Sequence, residues 1–267
     1  MKREMSIDEV KQTEIEILNF INEVASENDI QYYLAGGTLL GAIRHKGFIP
    51  WDDDIDIIVP RRDYRKLIDS INNKKSRYKA ISAYDNKNYR YLFFKVVDTT
   101  TELIEKGSIQ MEGLGVYVDV FPLDNLPDDP KGRKRMCDKA WNLRQIMGHA
   151  NLWKAGNISR GFIYKTACAF CELYGWKRAF NKFERMCDKT KNDETLYCKN
   201  LTDSGRRYSV WNHSSFIPVL MVEFEGKQYP AASDYNDYLK GYGNFMELPP
   251  IEKRVSNHSF VAYKLEQ

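Results

Sequence analysis

Apolar residues recur at helical spacing through Val10, Ile17, Leu18, Ile21, Val24 and Ala25. Ser6 with Glu9 three residues on forms a capping box ahead of them. The spacing predicts an amphipathic helix over residues 7–27, ended by Asn28-Asp29, whose role is packing. The period then shortens. Tyr32 to Ala35 reads as a strand, Gly36 to Arg44 as a turn and short helix, and Asp54 to Val59 as a second strand broken by Pro60. Arg61 to Ile71 reads as a helix, and Tyr89 to Asp98 as a third strand with Lys95 inside it. In Gly115 to Phe121, Val116, Val118 and Val120 face one way, and Tyr117, Asp119 and Phe121 the other. Pro122 is expected to end that strand, leaving Asp124 as a turn or cap.

Residues 130–190 read as helices, Met136 to Met147 and Phe162 to Met186, with a break at Gly175. Residues 203–217 are polar and read as loop. Glu223 to Pro230 reads as a hairpin turning at Gly226, and Tyr235, Tyr238, Leu239 and Tyr242 share a helical stripe ended by Gly243. The expected fold class is α+β, a mixed β-sheet flanked by helices with an inserted basic helical lobe. The expected organisation is one domain over 1–267. A sheet-bearing core is expected over 30–125, the lobe over 130–195, and a C-terminal segment, 196–267, that packs back on the core.

Charge sharpens this division. The 267 residues are 43% hydrophobic, enough for a sizeable core, and carry a net charge of +3. Residues 131–190 hold 14 Lys/Arg against 4 Asp/Glu, a local +10 that leaves −7 for the remainder. A basic lobe beside an acidic core suits phospholipid headgroups or a lipid pyrophosphate, although a solvated basic face gives the same balance. Trp141, Trp153, Trp176, Phe162 and Tyr164 interleave with the basic residues, yet no nucleic-acid motif accompanies them, so nucleic acid is not an expected partner. No apolar run reaches the roughly 18–20 residues of a membrane span. The opening Met1-Lys-Arg-Glu-Met is charged, not a hydrophobic leader, and the five cysteines are odd in number. A cytoplasmic protein with free thiols, peripheral to the membrane at most, is expected. Cys168-Ala-Phe-Cys171 has zinc-ligand spacing but a helical, apolar context, and reads as core.

The chemistry concentrates in residues 34–59. Gly36-Gly37 lets backbone N–H groups approach an anion, and a helix starting there points its dipole at the same place. Asp54 and Asp56, two apart in an extended run, leave one strand face. Asp56 lies between Ile55 and Ile57, where a carboxylate is rare unless paired or metal-bound. Asp119, a lone carboxylate in a β-branched strand, likewise needs a partner. Such carboxylates beside an anion nest suit a hard divalent cation, Mg²⁺ with Mn²⁺ as a substitute, in phosphoryl chemistry.

Gly36-Gly37 followed by Asp54-Ile-Asp-Ile57 resembles the nucleotidyltransferase superfamily signature. The longer string from Gly37-Thr-Leu-Leu-Gly-Ala-Ile-Arg-His-Lys-Gly-Phe-Ile-Pro-Trp to Asp56 resembles the LicD family of bacterial phosphocholine transferases, related to fukutin and the fukutin-related protein. Lys95-Val-Val-Asp98 and the closing Tyr238-Leu-x-x-Tyr-Gly-x-Phe-Met-x-Leu-Pro-Pro250, with Arg254 and His258, extend the likeness.

The resemblance implies a nucleotidyltransferase-like core in which Asp54, Asp56 and Asp119 are catalytic and hold the metal. It implies transfer of phosphocholine from CDP-choline to a hydroxyl of a lipid-linked or soluble glycan precursor, of teichoic acid or lipopolysaccharide type, releasing CMP. Phosphoribitol or phosphoglycerol transfer from a CDP derivative is the alternative, as is a cytidylyltransferase making the CDP-alcohol. Gly36, Gly37 and Thr38 are expected to hold the departing phosphates, and Arg44, His45, Lys46 and Lys95 to contact phosphate or acceptor. Lys95 is equally readable as an edge lysine and His45 as structural. Trp51, Tyr117 and Phe121 are candidates for an aromatic cage around choline, or for core.

Overall fold

A computed structural model describes residues 2–86, 88–105, 111–155, 161–203, 210–255 and 260–266. His258 lies outside them. The chain runs β1 (Lys2–Glu4), α1 (Ile7–Glu27), β2 (Tyr33–Leu34), α2 (Gly36–His45), β3 (Asp56–Pro60), α3 (Arg61–Asn73), β4 (Tyr78–Ile81), β5 (Phe94–Asp98) and β6 (Thr101–Glu105). It continues β7 (Tyr117–Leu126), α4 (Pro130–Ala155), α5 (Phe162–Tyr174), α6 (Trp176–Cys187), β8 (Tyr197–Lys199) and β9 (Trp211–Asn212). It closes with β10 (Leu220–Phe224), β11 (Lys227–Ala231), α7 (Tyr235–Leu239) and β12 (Phe260–Leu265).

The principal sheet runs β2-β3-β7-β5-β4, with β8 and β9 added along the far half of β7. It is mixed: β3 and β7 are parallel and the other neighbours antiparallel. Helices α1 and α3 pack against it, and buried Ile17, Leu18, Ile21, Tyr64, Leu67, Val96, Val118 and Val120 fill the core. The capping box of α1 forms as expected, with Glu9 N–H donating to Ser6 Oγ and Ser6 N–H to Glu9 Oε2. Gly175, at φ +94°, separates α5 from α6, and Glu225-Gly226, both at positive φ, turn the β10–β11 hairpin.

Four expectations need correction. Regular strand begins at Asp56, not Asp54, although Ile55 C=O already accepts from Asp119 N–H at 2.9 Å. The third strand begins at Phe94, not Tyr89. Residues 203–217 are not all loop, since β9 and a 3₁₀ turn at His213–Phe216 lie within them. Strand β7 runs through Pro122 to Leu126. Its β5 ladder ends at Val120 and its β8 ladder starts at Asp124, so the missing N–H of Pro122 falls in the gap between them. Asp124 is therefore no turn residue. It is fully buried, with Oδ1 2.6 Å from Arg61 Nε, and Arg61 also pairs with Glu184 of α6 at 3.2 Å. A small sheet that the sequence reading missed, β1-β12-β6, ties both ends of the chain together.

Candidate active site

The turn after β2 brings Gly36 to φ +52° at the start of α2. A Cβ there would stand 2.6 Å from Asp56 Oδ2, and one on Gly37 would stand 2.4 Å from Asp52 Oδ2. The glycine pair thus makes room for two carboxylates. Gly36 N–H donates to the hydroxyl of Tyr238 at 3.1 Å, so this group is not open to a phosphate as expected. Buried Thr38 is also diverted from that role. Its hydroxyl accepts from Asp56 N–H at 2.8 Å and fixes where β3 begins.

Asp56 on β3 stands directly opposite Asp119 on parallel β7, and Asp119 opposite Lys95 on β5. Lys95 Nζ lies 2.7 Å from Asp119 Oδ1 and 3.3 Å from the centre of the Tyr117 ring. Lys95 is buried inside this pair, so its expected phosphate contact is not what the geometry provides. Burial pushes the Asp56 carboxyl well above its ordinary range, and the charges of Asp54, Asp119 and Asp52 push it further, against the pull of Lys95. Asp54 thus joins Asp56 and Asp119 electrostatically, although it precedes the strand.

Further carboxylates escaped the sequence reading. Asp52, Asp53 and Asp54 each offer an oxygen within 4.8 Å of the others. Buried Glu14, on α1, is raised by burial and then by Asp54, Asp53 and Asp119, and its Oε2 has no hydrogen-bond partner. Its place in a helical packing pattern gave no signal of this. An all-oxygen donor set with an orphaned buried carboxylate oxygen and surplus negative charge fits a hard divalent cation.

Two cavities share Asp56 and Tyr242. The larger, about 650 Å³, is lined by Asp52, Asp54, Asp56 and Trp51 together with Tyr242, Phe245, Pro249 and Lys253 of the closing segment. Arg44 lines it too, while its Nη1 donates to Phe245 C=O at 2.8 Å and Glu247 C=O at 3.2 Å. Its Nε donates to His45 Nε2 at 2.9 Å, and burial followed by the Arg44 charge lowers the His45 pKa, which keeps the ring neutral. His45 is therefore an anchor for Arg44. Lys46 caps α2 at φ +62° with its side chain in solvent.

The smaller cavity, about 390 Å³, also reaches Asp56 and is lined by Phe93, Phe121, Trp211 and Tyr238 among others. The expected cage does not assemble. Trp51 faces the larger cavity with Arg254 over its ring at 5.6 Å, Phe121 faces the smaller one, and the Tyr117 face is covered by Lys95.

Residues 29–129 match the family described as LicD/FKTN/FKRP, nucleotidyltransferase domain. The chain is 29% identical over 270 residues to the lipopolysaccharide cholinephosphotransferase LicD of Haemophilus influenzae, covering 94% of this chain and 95% of that protein. Uncharacterized proteins of Rickettsia prowazekii and Rickettsia typhi are each 44% identical over 48 residues, 18% of this chain and 18% and 16% of theirs.

Proposed function

We propose, from the match of residues 29–129 to the LicD family and the likeness to LicD over most of the chain, that this protein transfers phosphocholine from CDP-choline to a hydroxyl of a cell-surface glycan precursor, releasing CMP. A lipopolysaccharide-type acceptor follows the Haemophilus relative, and a teichoic acid precursor offers the same hydroxyl chemistry. The observation that carries the reading is the register of Asp56 against Asp119, with Asp54 beside them, where Asp56 lines two cavities and Asp54 the larger of them.

In this reading residues 30–125 are a nucleotidyltransferase-like core, and 196–267 complete its cavities. Asp54, Asp56 and Asp119 hold Mg²⁺ or Mn²⁺, which would neutralise charge on the transferred phosphoryl group and the departing CMP. The larger cavity has room for a cytidine nucleotide, with Arg44 and Lys253 near its phosphates. Asp119 takes the proton of the attacking hydroxyl, and Lys95 fixes the direction of its carboxylate. Buried Thr38 holds the Asp56 backbone, so the carboxylate meets substrate without reorganisation.

Helices α4 to α6 are the proposed membrane-facing lobe. No helix among the described residues is long and apolar enough to cross a membrane. Yet Phe162, Ile163, Phe170 and Leu173 of α5 are each at least 70% exposed, an apolar stripe on a helix that packs through Cys168. Exposed Lys165, Lys177, Arg178, Lys182 and Arg185 lie on the same two helices, α5 and α6. Apolar and basic side chains together suit an anionic bilayer surface, proposed here as the inner face of the cytoplasmic membrane.

The test is CMP release from CDP-choline by the purified chain with Mg²⁺ and a panel of glycan acceptors, followed by mass analysis of the acceptor. Asp56→Ala and Asp119→Asn are expected to reduce the rate at least a hundredfold. Retained transfer by Asp56→Ala overturns the assignment, and pyrophosphate release from CTP and phosphocholine replaces it with a cytidylyltransferase.

A further inference from the structure

We infer that the smaller cavity is an aromatic subsite for the quaternary ammonium of the donor, an inference that rests on the transferase reading above. Two ring pairs line it. Phe93 and Phe121 have centroids 4.4 Å apart, and Trp211 stacks on Tyr238 at 4.6 Å and 14°. The half-exposed ring of Tyr242 stands at the border with the larger cavity, and Asp203 is the acidic lining residue besides the proposed metal ligand Asp56.

A trimethylammonium group has no N–H to donate. It is bound by π faces and by carboxylates acting through space, and this cavity has both. Among its other polar lining, Asn200 Oδ1 accepts from Thr202 N–H at 2.9 Å and from the Thr202 hydroxyl, which takes both Thr202 donors.

The rings are also held before any ligand arrives. Trp211 Nε1 donates to Tyr238 C=O at 3.1 Å, the Tyr238 hydroxyl accepts from Gly36 N–H, and Arg144 of α4 donates to the Asp203 carbonyl. Rigid rings lose little freedom on binding. Position completes the argument. The two-carbon arm of choline is short, so its nitrogen must lie beside the phosphorus, and this cavity begins at Asp56. The larger cavity then receives the nucleotide. Sequence reading could not find the subsite, because Phe93, Phe121, Trp211 and Tyr238 come from four separated segments.

Calorimetry on the full-length protein with Mg²⁺ tests the subsite, comparing phosphocholine with 3,3-dimethylbutyl phosphate, the isostere that lacks only the ammonium charge. Wild type is expected to prefer phosphocholine by about tenfold or more, the order of one or two cation–π faces. Phe93→Leu and Phe121→Leu keep apolar volume and remove a π face. Each is expected to cut the preference by about fivefold while changing isostere affinity by less than about twofold. Equal affinity for the two ligands in wild type overturns the subsite, as does a preference that survives both substitutions. A preference for phosphocholine without CMP release upholds the subsite and removes the transferase reading. CMP release without the preference removes the subsite alone.

Discussion

Replacing Asp56 with Asn is expected to stabilise the metal-free protein. Asp56 faces Asp119 across adjacent strands, and Asp54 and Asp52 add to the repulsion. Strands stand about 4.8 Å apart, and like charges at that separation repel by roughly 3.5 kcal/mol at an effective dielectric of ~20. Lys95, 2.7 Å from Asp119, offsets part of this. The net relief in Asp56→Asn is then about 1–2 kcal/mol. Its pH dependence has a definite sign. The folded chain holds the Asp56 proton from the ordinary value of 3.8 up to its raised native value, whereas the unfolded chain has released it. Stability therefore falls as pH rises through that window. The gain in Asp56→Asn is full above the window and vanishes near pH 4, with Glu14 leaving a residual slope of the same sign. Urea denaturation in EDTA from pH 4 to 8, repeated with Mg²⁺, measures both effects. If Asp56 holds Mg²⁺ as proposed, the ion at about 100 times its dissociation constant is expected to stabilise wild type by ~2.7 kcal/mol, and the variant by much less. A variant less stable than wild type at pH 8 in EDTA, or equal stabilisation of both by Mg²⁺, would refute the reasoning.

Four further outcomes are expected. Gly36→Ala sets a Cβ 2.6 Å from Asp56 Oδ2 at φ +52° and should cost about 1–3 kcal/mol in thermal or urea unfolding, with weaker Mg²⁺ binding by calorimetry. Tyr238→Phe removes the acceptor for Gly36 N–H, and should lose about 0.5–1.5 kcal/mol and lower the rate of CMP release more than it changes Mg²⁺ affinity. Arg61→Met leaves Asp124 and Glu184 without their buried partner, and should cost about 3–5 kcal/mol, read as the shift in urea midpoint. Replacing Phe162, Ile163 and Phe170 together with Ser should abolish co-sedimentation with anionic vesicles while leaving CMP release with a soluble acceptor unchanged.

Local chemistry was legible where the determinants were local. Ser6 and Glu9 announce the start of α1, Gly175 its neighbours' break, and Gly226 the hairpin, because caps and positive-φ turns depend on adjacent residues. Asp56 and Asp119 stood out because a carboxylate in a β-branched strand contradicts its surroundings, and their pairing follows from the register of β3 and β7. What failed were statements about which partner a group meets. The Thr38 hydroxyl, the Gly36 N–H and the Lys95 ammonium each look available in sequence, and each is engaged by a residue at least 18 positions away. Pro122 misled for a related reason. Whether proline ends a strand depends on whether a neighbour needs its N–H, and here two ladders stop on either side of it.

The same distinction explains why the family match and the site have different extents. The match ends at residue 129 and contains Asp54, Asp56, Asp119 and the glycine turn. The two cavities that meet at Asp56 are also lined by later residues, Asn200, Thr202, Asp203, Trp211, Tyr238 and Tyr242 for one and residues between Tyr242 and Val255 for the other. That later chain is fastened to the core at the glycine turn and along α2. Tyr238 accepts from Gly36, Arg44 holds the carbonyls of Phe245 and Glu247, and Glu225 accepts from Phe48 N–H while its own N–H donates to Lys46 C=O. Each tie lands within α2 or the loop after it, so moving the closing segment moves the glycine turn against Asp56. In the proposed reading the carboxylates hold the metal for phosphoryl transfer, and residues 93, 121, 200–203 and 211–255 set what they act on. Substitutions there are expected to change the donor while leaving the acidic centre intact.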